Sequence, residues 1–260
     1  MIAAGCDVGS LTTKVAIMKD GAIISYHVVE TGFKPDLAAK DAMDGALSKA
    51  NLSFDDVGYC VSTGDGGKNV SFAGRYVSQI PCLSKGTYFF IPSVGTVVDV
   101  GGNATRAISV GKEGRVLSYR LNDKCAAGGG RFFDVLAEAL EVKLDDLGLL
   151  SQQSKSPLEI TSQCTVFAES EVISLLNEGK DIVDIIAGVN QSIASRIASL
   201  VRNVGIKEDV VMTGGVAKNI GVIKSLEGWL GVSIKTVPVA PQIVGAVGAS
   251  LLAEKELQET

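Results

Sequence analysis

Short apolar runs alternate with longer helical patterns along the chain, and this alternation predicts an α/β fold. The first apolar run ends at Asp7 and is followed by a tight turn over residues 9–13 and a strand over residues 14–18. Residues 20–21 are Asp-Gly, a hairpin turn signal, and a third strand is expected over residues 22–29. The start of the chain is therefore predicted to be three strands joined by tight turns.

The same strand–turn–strand–turn–strand design returns in the middle of the chain. A strand ends at Asp99, glycines 101–102 make the first turn, and further strands are expected over residues 106–110 and 116–121. Both copies carry Asp-Val-Gly at the first turn. Internal similarity of this kind indicates two lobes of similar build.

Helical patterns follow each set of strands. They cover residues 35–50, 132–142, 166–176 and 183–204. Strands are also expected over residues 57–62 and 210–213, and a helix rich in small residues ends the chain. We predict an N-terminal lobe over residues 1–94 and a C-terminal lobe over residues 95–260, with the C-terminal helix packing back on the first lobe.

Composition and charge exclude several classes of protein. The chain has 260 residues, of which 46% are apolar and 20% charged, and its net charge is −5. The absence of a basic block argues against nucleic acid or an anionic membrane as a partner. No apolar run reaches the ~18 residues of a membrane span, and no secretory signal pattern is present. We therefore expect a cytoplasmic protein.

Two aspartates at strand ends, each followed by a glycine-rich turn, indicate a site for a metal-bound nucleotide. Asp7 and Asp99 can hold Mg²⁺ directly or through water, and glycine lets backbone N–H groups approach phosphate oxygens. Gly214 and Gly215 stand between a strand and a helix, another position where the backbone can approach a ligand. One such turn is usually only structural, whereas two matched copies and a third segment are more specific. The chain has no P-loop motif and no GxGxxG fingerprint.

The predicted nucleotide contacts come from these three segments. Hydroxyl groups and one lysine in the first turn supply donors and positive charge for phosphates. The residues are Gly9, Ser10, Leu11, Thr12, Thr13, Lys14, Gly101, Gly102, Asn103, Gly214, Gly215 and Lys218.

The three segments together resemble the superfamily of actin, sugar kinases and heat-shock chaperone ATPases. Within it, the stretches "NDKCAAGGGRFFDVLA", "CTVFAESEVIS" and "VVMTGGVAKN" are similar to the activators of 2-hydroxyacyl-CoA dehydratases and the ATP-binding subunits of benzoyl-CoA reductase. The resemblance covers essentially the whole chain. It implies a two-lobed, actin-like ATPase fold that binds ATP or ADP with Mg²⁺ between the lobes.

The five cysteines fall into two groups. Cys6, Cys60 and Cys82 are interpreted as small buried apolar residues. Cys125 and Cys164 each precede a predicted helix start, where the positive end of the helix dipole favours a thiolate. Iron–sulfur clusters commonly take four thiolates, and two chains related by a two-fold axis supply four. The family resemblance implies this arrangement, one 4Fe-4S cluster shared across a homodimer.

The resemblance also implies a function. The homodimer is expected to receive single electrons from a ferredoxin or flavodoxin. With ATP binding and hydrolysis, it is then expected to pass each electron at low potential to a partner iron–sulfur enzyme. That partner is a 2-hydroxyacyl-CoA dehydratase, an enzyme of the benzoyl-CoA reductase type or a double-cubane cluster protein.

The second phosphate turn departs from the family pattern. The usual sequence is Asp-Ile-Gly-Gly-Gln-Asp, whereas this chain has Asn103 and Ala104 in place of the glutamine and the aspartate. Asn103 is shorter by one methylene, and loss of the aspartate is expected either to slow hydrolysis or to shift Mg²⁺ ligation to Asp7 and Asp99. We keep Asp7, Asp99 and Asn103 as the predicted catalytic residues. The stretch around Cys82 also lacks the acidic residue and the histidine of many relatives, which suggests a different partner.

Two other functions are compatible with the nucleotide segments. One is a small-molecule kinase of the same superfamily, which requires a carboxylate base and a substrate pocket built by inserted subdomains. The other is a non-catalytic nucleotide-sensing module, which the Asn103–Ala104 change favours slightly. Neither requires cysteines at helix starts, so the pair Cys125 and Cys164 discriminates between these functions and electron transfer.

Overall fold

Two mixed five-stranded sheets form the framework of the computed structural model, which describes residues 1–122, 129–161 and 165–259. The strands of the first sheet are β1 (Ile2–Val8), β2 (Thr12–Lys19), β3 (Ala22–Glu30), β4 (Tyr59–Thr63) and β5 (Arg75–Tyr76). They lie in the order β3-β2-β1-β4-β5, with β1 antiparallel to β2 and parallel to β4.

The second sheet repeats the first. Its strands are β6 (Thr96–Val100), β7 (Thr105–Val110), β8 (Val116–Asn122), β9 (Val210–Thr213) and β10 (Ile234–Thr236). Their order is β10-β9-β6-β7-β8, with β6 antiparallel to β7 and parallel to β9. The predicted α/β fold with a duplicated strand design is therefore confirmed. The chain division at residue 94 stays a prediction.

Helix α1 (Pro35–Ala50) covers one face of the first sheet. It begins with a proline, whose missing N–H is no loss at a helix start, and it ends where Asn51 adopts a left-handed conformation. Its buried residues recur at helical spacing and pack on β1, β2 and β3. They are Ala38, Ala39, Ala42, Met43, Ala46 and Leu47.

The second lobe contains the largest apolar core. Its helices are α3 (Gly130–Ala139), α4 (Leu147–Ser151), α5 (Thr165–Asn177), α6 (Ile182–Arg202) and α7 (Ile220–Leu230). The side chain of Asp181 caps α6 by accepting from the Val183 N–H at 3.0 Å. The apolar stripe of α6 is buried with residues of α3, α7 and the second sheet. Among the described residues, no helix is long and apolar enough to cross a membrane.

Two further helices, α2 (Gln79–Phe90) and α8 (Val244–Glu259), lie between the two sheets. Helix α8 packs on β1, β2 and β4, α2 packs on the second sheet, and the two helices contact each other directly. The first sheet is thus covered by a helix from the other end of the chain, and the second by the helix that directly precedes β6. The C-terminal helix, expected to return to the first lobe, lies on the first sheet.

The crossing of α2 and α8 has no room for side chains. A Cβ placed on Gly248 would lie 1.7 Å from the Cys82 carbonyl oxygen, and one on Gly86 would lie 2.1 Å from that of Val244. Only glycine allows backbones to approach this closely. The distance between the lobes is therefore set in part by glycine-to-backbone contact.

We expect Gly248→Ala to destabilise the protein by about 2–3 kcal/mol, because the added methyl forces α2 and α8 apart in a packed interior. Urea denaturation followed by circular dichroism measures this change. Gly228→Ala in α7 is the matched control, since a Cβ there meets nothing within 4 Å. The control is expected to gain about 0.5 kcal/mol from helix propensity. Equal stabilities for the two variants would contradict the proposed role of the crossing.

Candidate functional site

A cleft between the two sheets encloses a cavity of about 260 Å³. Residues from three distant segments line it, as the sequence predicts for a single site. Of the predicted contacts, the lining contains Gly9, Ser10, Leu11, Thr12, Lys14, Gly101, Gly102, Asn103, Gly214, Gly215 and Lys218, together with Asp7 and Asp99.

The first carboxylate is neutralised by a lysine on the adjacent strand. Asp7 on β1 and Lys14 on β2 are direct cross-strand partners, and Lys14 Nζ lies 3.4 Å from Asp7 Oδ2. Lys14 also donates to the Thr12 carbonyl oxygen at 3.1 Å. Both side chains are largely buried, with 6% of Asp7 and 10% of Lys14 exposed. Pairing is needed here because an isolated buried charge is costly.

The second carboxylate is neutralised in the same way. Asp99 on β6 and Arg106 on β7 are direct cross-strand partners, and Arg106 Nη1 donates to Asp99 Oδ2 at 2.9 Å. Thr213 at the end of β9 donates its hydroxyl to Asp99 Oδ1 at 3.0 Å. Arg106 was absent from the sequence predictions. The signal for it was present, since Lys14 and Arg106 occupy equivalent positions in the duplicated hairpins.

Gln79, the first residue of α2, connects the two pairs. Its Nε2 donates to Asp7 Oδ1 at 3.1 Å, and its Oε1 accepts a hydrogen bond from Arg106 Nη2. Asp65 lies at the rim, 3.9 Å from the same guanidinium nitrogen. A continuous polar network therefore runs from the first sheet to the second through one amide.

The two glycine turns are alike in geometry and touch each other. The Gly9 N–H donates to the Thr12 carbonyl and the Gly101 N–H to the Ala104 carbonyl, both at 3.0 Å. A Cβ on Gly102 would lie 2.6 Å from Leu11 Cγ. Glycine is therefore required at position 102 for the turns to approach across the cleft.

Thr13 does not line the cavity. Its side chain is fully buried, and its hydroxyl pairs with that of Thr31 at 2.9 Å. Side chains alternate between the faces of a strand, so Thr12 and Lys14 face the cleft while Thr13 points away. Thr31 in turn donates to the Gly9 carbonyl at 2.8 Å, so Thr13 supports the first turn from behind.

The third segment brings backbone into the cleft. Gly214 has a φ of 84°, and a Cβ there would lie 2.3 Å from the Val100 carbonyl oxygen, so only glycine fits. The chain then makes a short 3₁₀ turn over Gly215–Lys218. Asn219 caps α7 by accepting from the Gly221 N–H at 2.9 Å.

One wall of the cavity was not predicted from the sequence. Phe133 and Leu144 supply apolar surface, and Asp134 and Asp145 add carboxylates from α3 and the following turn. Burial raises the pKa of Asp134, and the nearby Arg131 opposes this shift. Leu83, Gly130, Val216, Asn219 and Gln242 also line the cavity and were not predicted as contacts.

Cys125 and Cys164, the predicted cluster ligands, lie outside the described residues. The three described cysteines are buried thiols. Burial raises the pKa of Cys60 and of Cys82 to about 12 and that of Cys6 well above its usual value. Within the described part of the chain, no three His, Cys, Asp or Glu side chains are grouped to hold a metal ion.

The donor set of the cleft is compatible with Mg²⁺ bound together with a nucleotide. Each carboxylate oxygen of Asp7 and Asp99 has one hydrogen-bond donor in the structure, which leaves further acceptor capacity on every oxygen. Mg²⁺ typically uses one or two carboxylates and completes its shell with water and phosphates. Asp7 and Asp99 would therefore hold the ion.

Comparison with known proteins identifies the family. The model of the BadF/BadG/BcrA/BcrD ATPase family matches residues 4–253. The chain belongs to this family. It is 45% identical over 254 residues to the (R)-2-hydroxyglutaryl-CoA dehydratase activating ATPase of Acidaminococcus fermentans, covering 97% of this chain and 96% of the relative. It is 43% identical over 260 residues to the activator of lactoyl-CoA dehydratase of Anaerotignum propionicum, covering all of both chains.

A solved structure agrees with this assignment. The activator of 2-hydroxyisocaproyl-CoA dehydratase from Clostridium difficile with bound ADPNP superimposes with a TM-score of 0.95 at 39% identity. The match covers 100% of this chain and 96% of that one. The predicted family and the actin-like fold are confirmed. Membership of the BadF/BadG/BcrA/BcrD ATPase family supports ATP binding and ATPase activity for this chain.

We expect Arg106→Met to destabilise this family member by about 3–5 kcal/mol, because it leaves the Asp99 charge buried without a cation. Adding Asp99→Asn should recover a large part of this loss. The double-mutant cycle is measured by urea denaturation.

Lys235→Met is the control for loss of a cation. Lys235 pairs with Asp209 at the surface, and 52% of its side chain is exposed. A surface ion pair contributes about 0–1 kcal/mol, so this variant should stay near the wild type. Additive effects of Arg106→Met and Asp99→Asn would show that the two buried groups are not coupled.

Proposed function

We propose that this protein is an ATP-dependent, low-potential electron donor to a partner iron–sulfur enzyme. It acts as a homodimer that shares one 4Fe-4S cluster through Cys125 and Cys164 of each chain. The observation that carries the proposal is a direct backbone connection between the second phosphate turn and α3. The Gly130 N–H donates to the Gly101 carbonyl at 2.8 Å, and the Arg131 N–H to the Gly102 carbonyl at 2.9 Å.

This connection flanks the segment that contains Cys125. On the preceding side, Asn122 at the end of β8 pairs with Thr105, just after the second phosphate turn. On the following side, a Cβ on Gly129 would lie 2.3 Å from the Gly102 carbonyl oxygen. A movement of the second phosphate turn would therefore move the residues on both sides of the Cys125 segment. This supports coupling between nucleotide binding and the position of Cys125.

The cleft has the parts that an ATPase site requires. The two glycine turns and Lys14 would hold the phosphates, and Asp7 and Asp99 would hold Mg²⁺. Phe133, Leu144 and the Gly214–Lys218 segment would enclose the adenosine. Asn103 is exposed at the second turn, and its neutral amide can orient a water molecule but cannot take its proton. Hydrolysis would thus depend on positioning and electrostatics.

ATP can drive lobe movement only if it binds the two lobe arrangements with different affinities. The phosphate turns belong to different lobes and meet at Gly102 and Leu11. Phosphates bound to both turns would favour the arrangement in which the turns are close. In that arrangement α3 is held by the second turn, and the dimer would be ready to dock on its partner. The shared cluster supplies one-electron chemistry when it is bound.

The relatives support the proposed kind of partner, and the electron source is part of the proposal. The relatives named above are activators of CoA-thioester dehydratases. We assign this chain the same kind of role, with a dehydratase, a benzoyl-CoA reductase type enzyme or a double-cubane cluster protein as electron acceptor. A ferredoxin or flavodoxin would reduce the cluster, and the cytoplasm is the compartment in which these proteins would meet.

A small-molecule kinase is the second candidate function. Asp7 and Asp99 are each paired with a cation in the described structure, so a kinase would have to take its base from the other carboxylates of the cleft, Asp65, Asp134 or Asp145. A nucleotide-sensing module without catalysis is the third. Only electron transfer requires Cys125 and Cys164.

The first experiment measures iron and acid-labile sulfide per chain, with the mass in solution, on protein purified without oxygen. We expect about two irons and about two sulfides per chain in a dimer, because four thiolates from two chains would hold one 4Fe-4S cluster. Cys125→Ser should abolish both the cluster and the dimer.

Cys82→Ser is the matched control, since its thiol is buried in α2 and is not a predicted ligand. It should keep the iron content of the wild type. An iron-free monomer that still binds ATP would exclude electron transfer and favour the kinase or sensing module.

A second experiment tests the connection through α3. Gly129→Ala places a methyl group 2.3 Å from the Gly102 carbonyl oxygen and should separate α3 from the phosphate turn. At saturating ADPNP, the nucleotide-dependent change in iron release to a chelator should fall at least about fivefold, which corresponds to about 1 kcal/mol of coupling.

Gly228→Ala is the control for that experiment, because its Cβ meets nothing within 4 Å. It should respond to ADPNP as the wild type does. A full response in Gly129→Ala would show that the signal travels by another route.

A further inference from the structure

Among the described residues, Gln79 is the side chain that hydrogen-bonds to both buried ion pairs of the cleft. Its Oε1 accepts a hydrogen bond from Arg106 and its Nε2 donates one to Asp7, so it contacts the ion pair of each lobe. The ion pairs themselves stay within their own sheets, since each joins adjacent strands. The connection between them therefore depends on this amide.

An amide is the side chain that fits these two neighbours. Asp7 is a carboxylate and only accepts hydrogen bonds, whereas the Arg106 guanidinium only donates. A residue between them must donate on one side and accept on the other without adding charge. Glutamine does both, an aliphatic side chain does neither, and an ionised glutamate accepts from Arg106 but repels Asp7.

Helix α2, which begins at Gln79, contacts both lobes. Helix α2 crosses α8 through the glycine contacts at Gly86 and Gly248, and α8 lies on the first sheet. On its other side, Ser84 of α2 donates to the Gly114 carbonyl at 2.9 Å, next to the second sheet. Any rotation of the lobes about this crossing changes the distance from Gln79 to Asp7 or to Arg106.

We propose that Gln79 is a positioning residue of the ATPase site, which holds Asp7 and Asp99 in the relative arrangement that hydrolysis requires. It acts on Asp7 directly and on Asp99 through Arg106, whose Nη1 lies 2.9 Å from Asp99 Oδ2. The inference rests on the ATPase function and is independent of the cluster. When the lobes rotate apart, one of the two amide hydrogen bonds breaks and the carboxylates lose their alignment.

The first test is Gln79→Leu, which keeps the size of the side chain and removes both hydrogen bonds. We expect kcat for ATP hydrolysis to fall on the order of tenfold, since hydrogen bonds to charged groups contribute most. The affinity for ADP, measured by titration calorimetry, should change little, because the Gly214–Lys218 segment and Phe133 are untouched. This split between kcat and ADP affinity separates positioning from general damage to the fold.

The matched control is Gln152→Leu, at an exposed position after α4. It makes the same chemical change away from the cleft and should hydrolyse ATP as the wild type does. Thermal unfolding of both variants, followed by circular dichroism, checks that the fold is retained.

The second test is Gln79→Glu, compared with the wild type at neutral pH. An ionised carboxylate accepts from Arg106 but cannot donate to Asp7, so the connection to the first lobe is lost. We expect kcat for ATP hydrolysis to fall on the order of tenfold, as in Gln79→Leu.

These experiments separate failure of the proposed role of Gln79 from failure of the ATPase function. A wild-type protein that binds no nucleotide overturns that function and this inference with it. A wild-type protein that hydrolyses ATP, with Gln79→Leu within about twofold of its kcat, overturns the role of Gln79 alone. If Gln79→Leu does not fold, Gln79→Glu decides, and a kcat within about twofold of the wild type overturns the inference.

Discussion

The burial of two carboxylates on opposite sides of one cleft is the constraint on which the rest of the structure depends. Asp7 and Asp99 are 4% and 5% exposed, and charges buried this far need cations within hydrogen-bond reach. Each hairpin supplies the cation from its own next strand, because the antiparallel register places Lys14 beside Asp7 and Arg106 beside Asp99. The same register positions the glycine turn that follows each aspartate. The duplication therefore supplies two equivalent half-sites.

The two lobes are joined by connections of different stiffness. At the crossing of α2 and α8, Gly86 and Gly248 meet backbone carbonyls, and packed backbone resists separation. In the cleft, by contrast, Gln79 joins the lobes through two hydrogen bonds, Arg106 lies 3.9 Å from Asp65, and the glycine turns touch at Gly102 and Leu11. If the lobes move, the packed backbone at the crossing would resist separation more than these polar contacts do. Rotation about the crossing would then open the cleft where the nucleotide would bind.

The sequence predicts those features whose signals are local. Alternating strands, turn glycines and the repeated Asp-Val-Gly located β1–β3, β6–β8 and both phosphate turns. Helix α2 was missed because three of its five buried residues are Ser84, Gly86 and Thr87, so few apolar residues mark its buried face in the sequence. The turn predicted over residues 9–13 was two residues too long, since β2 begins at Thr12, and this placed Thr13 among the predicted contacts. Asp134 and Asp145 carry no local signal for a site, and only tertiary packing brings them to the cleft.

The second phosphate turn keeps its shape without the aspartate expected at position 104. The Gly101 N–H is satisfied by the Ala104 carbonyl, and the Ala104 side chain is buried, so the backbone alone defines the turn. Lys14 and Arg106 pair with Asp7 and Asp99, Asp65 lies 3.9 Å from Arg106 at the rim, and position 104 adds no further carboxylate. The amide of Gln79 adds no charge where it joins the two pairs. A site built in this way would leave proton abstraction to solvent or phosphate and would rely on fixed geometry. In such a site the alignment of the lobes would control the rate of phosphoryl transfer.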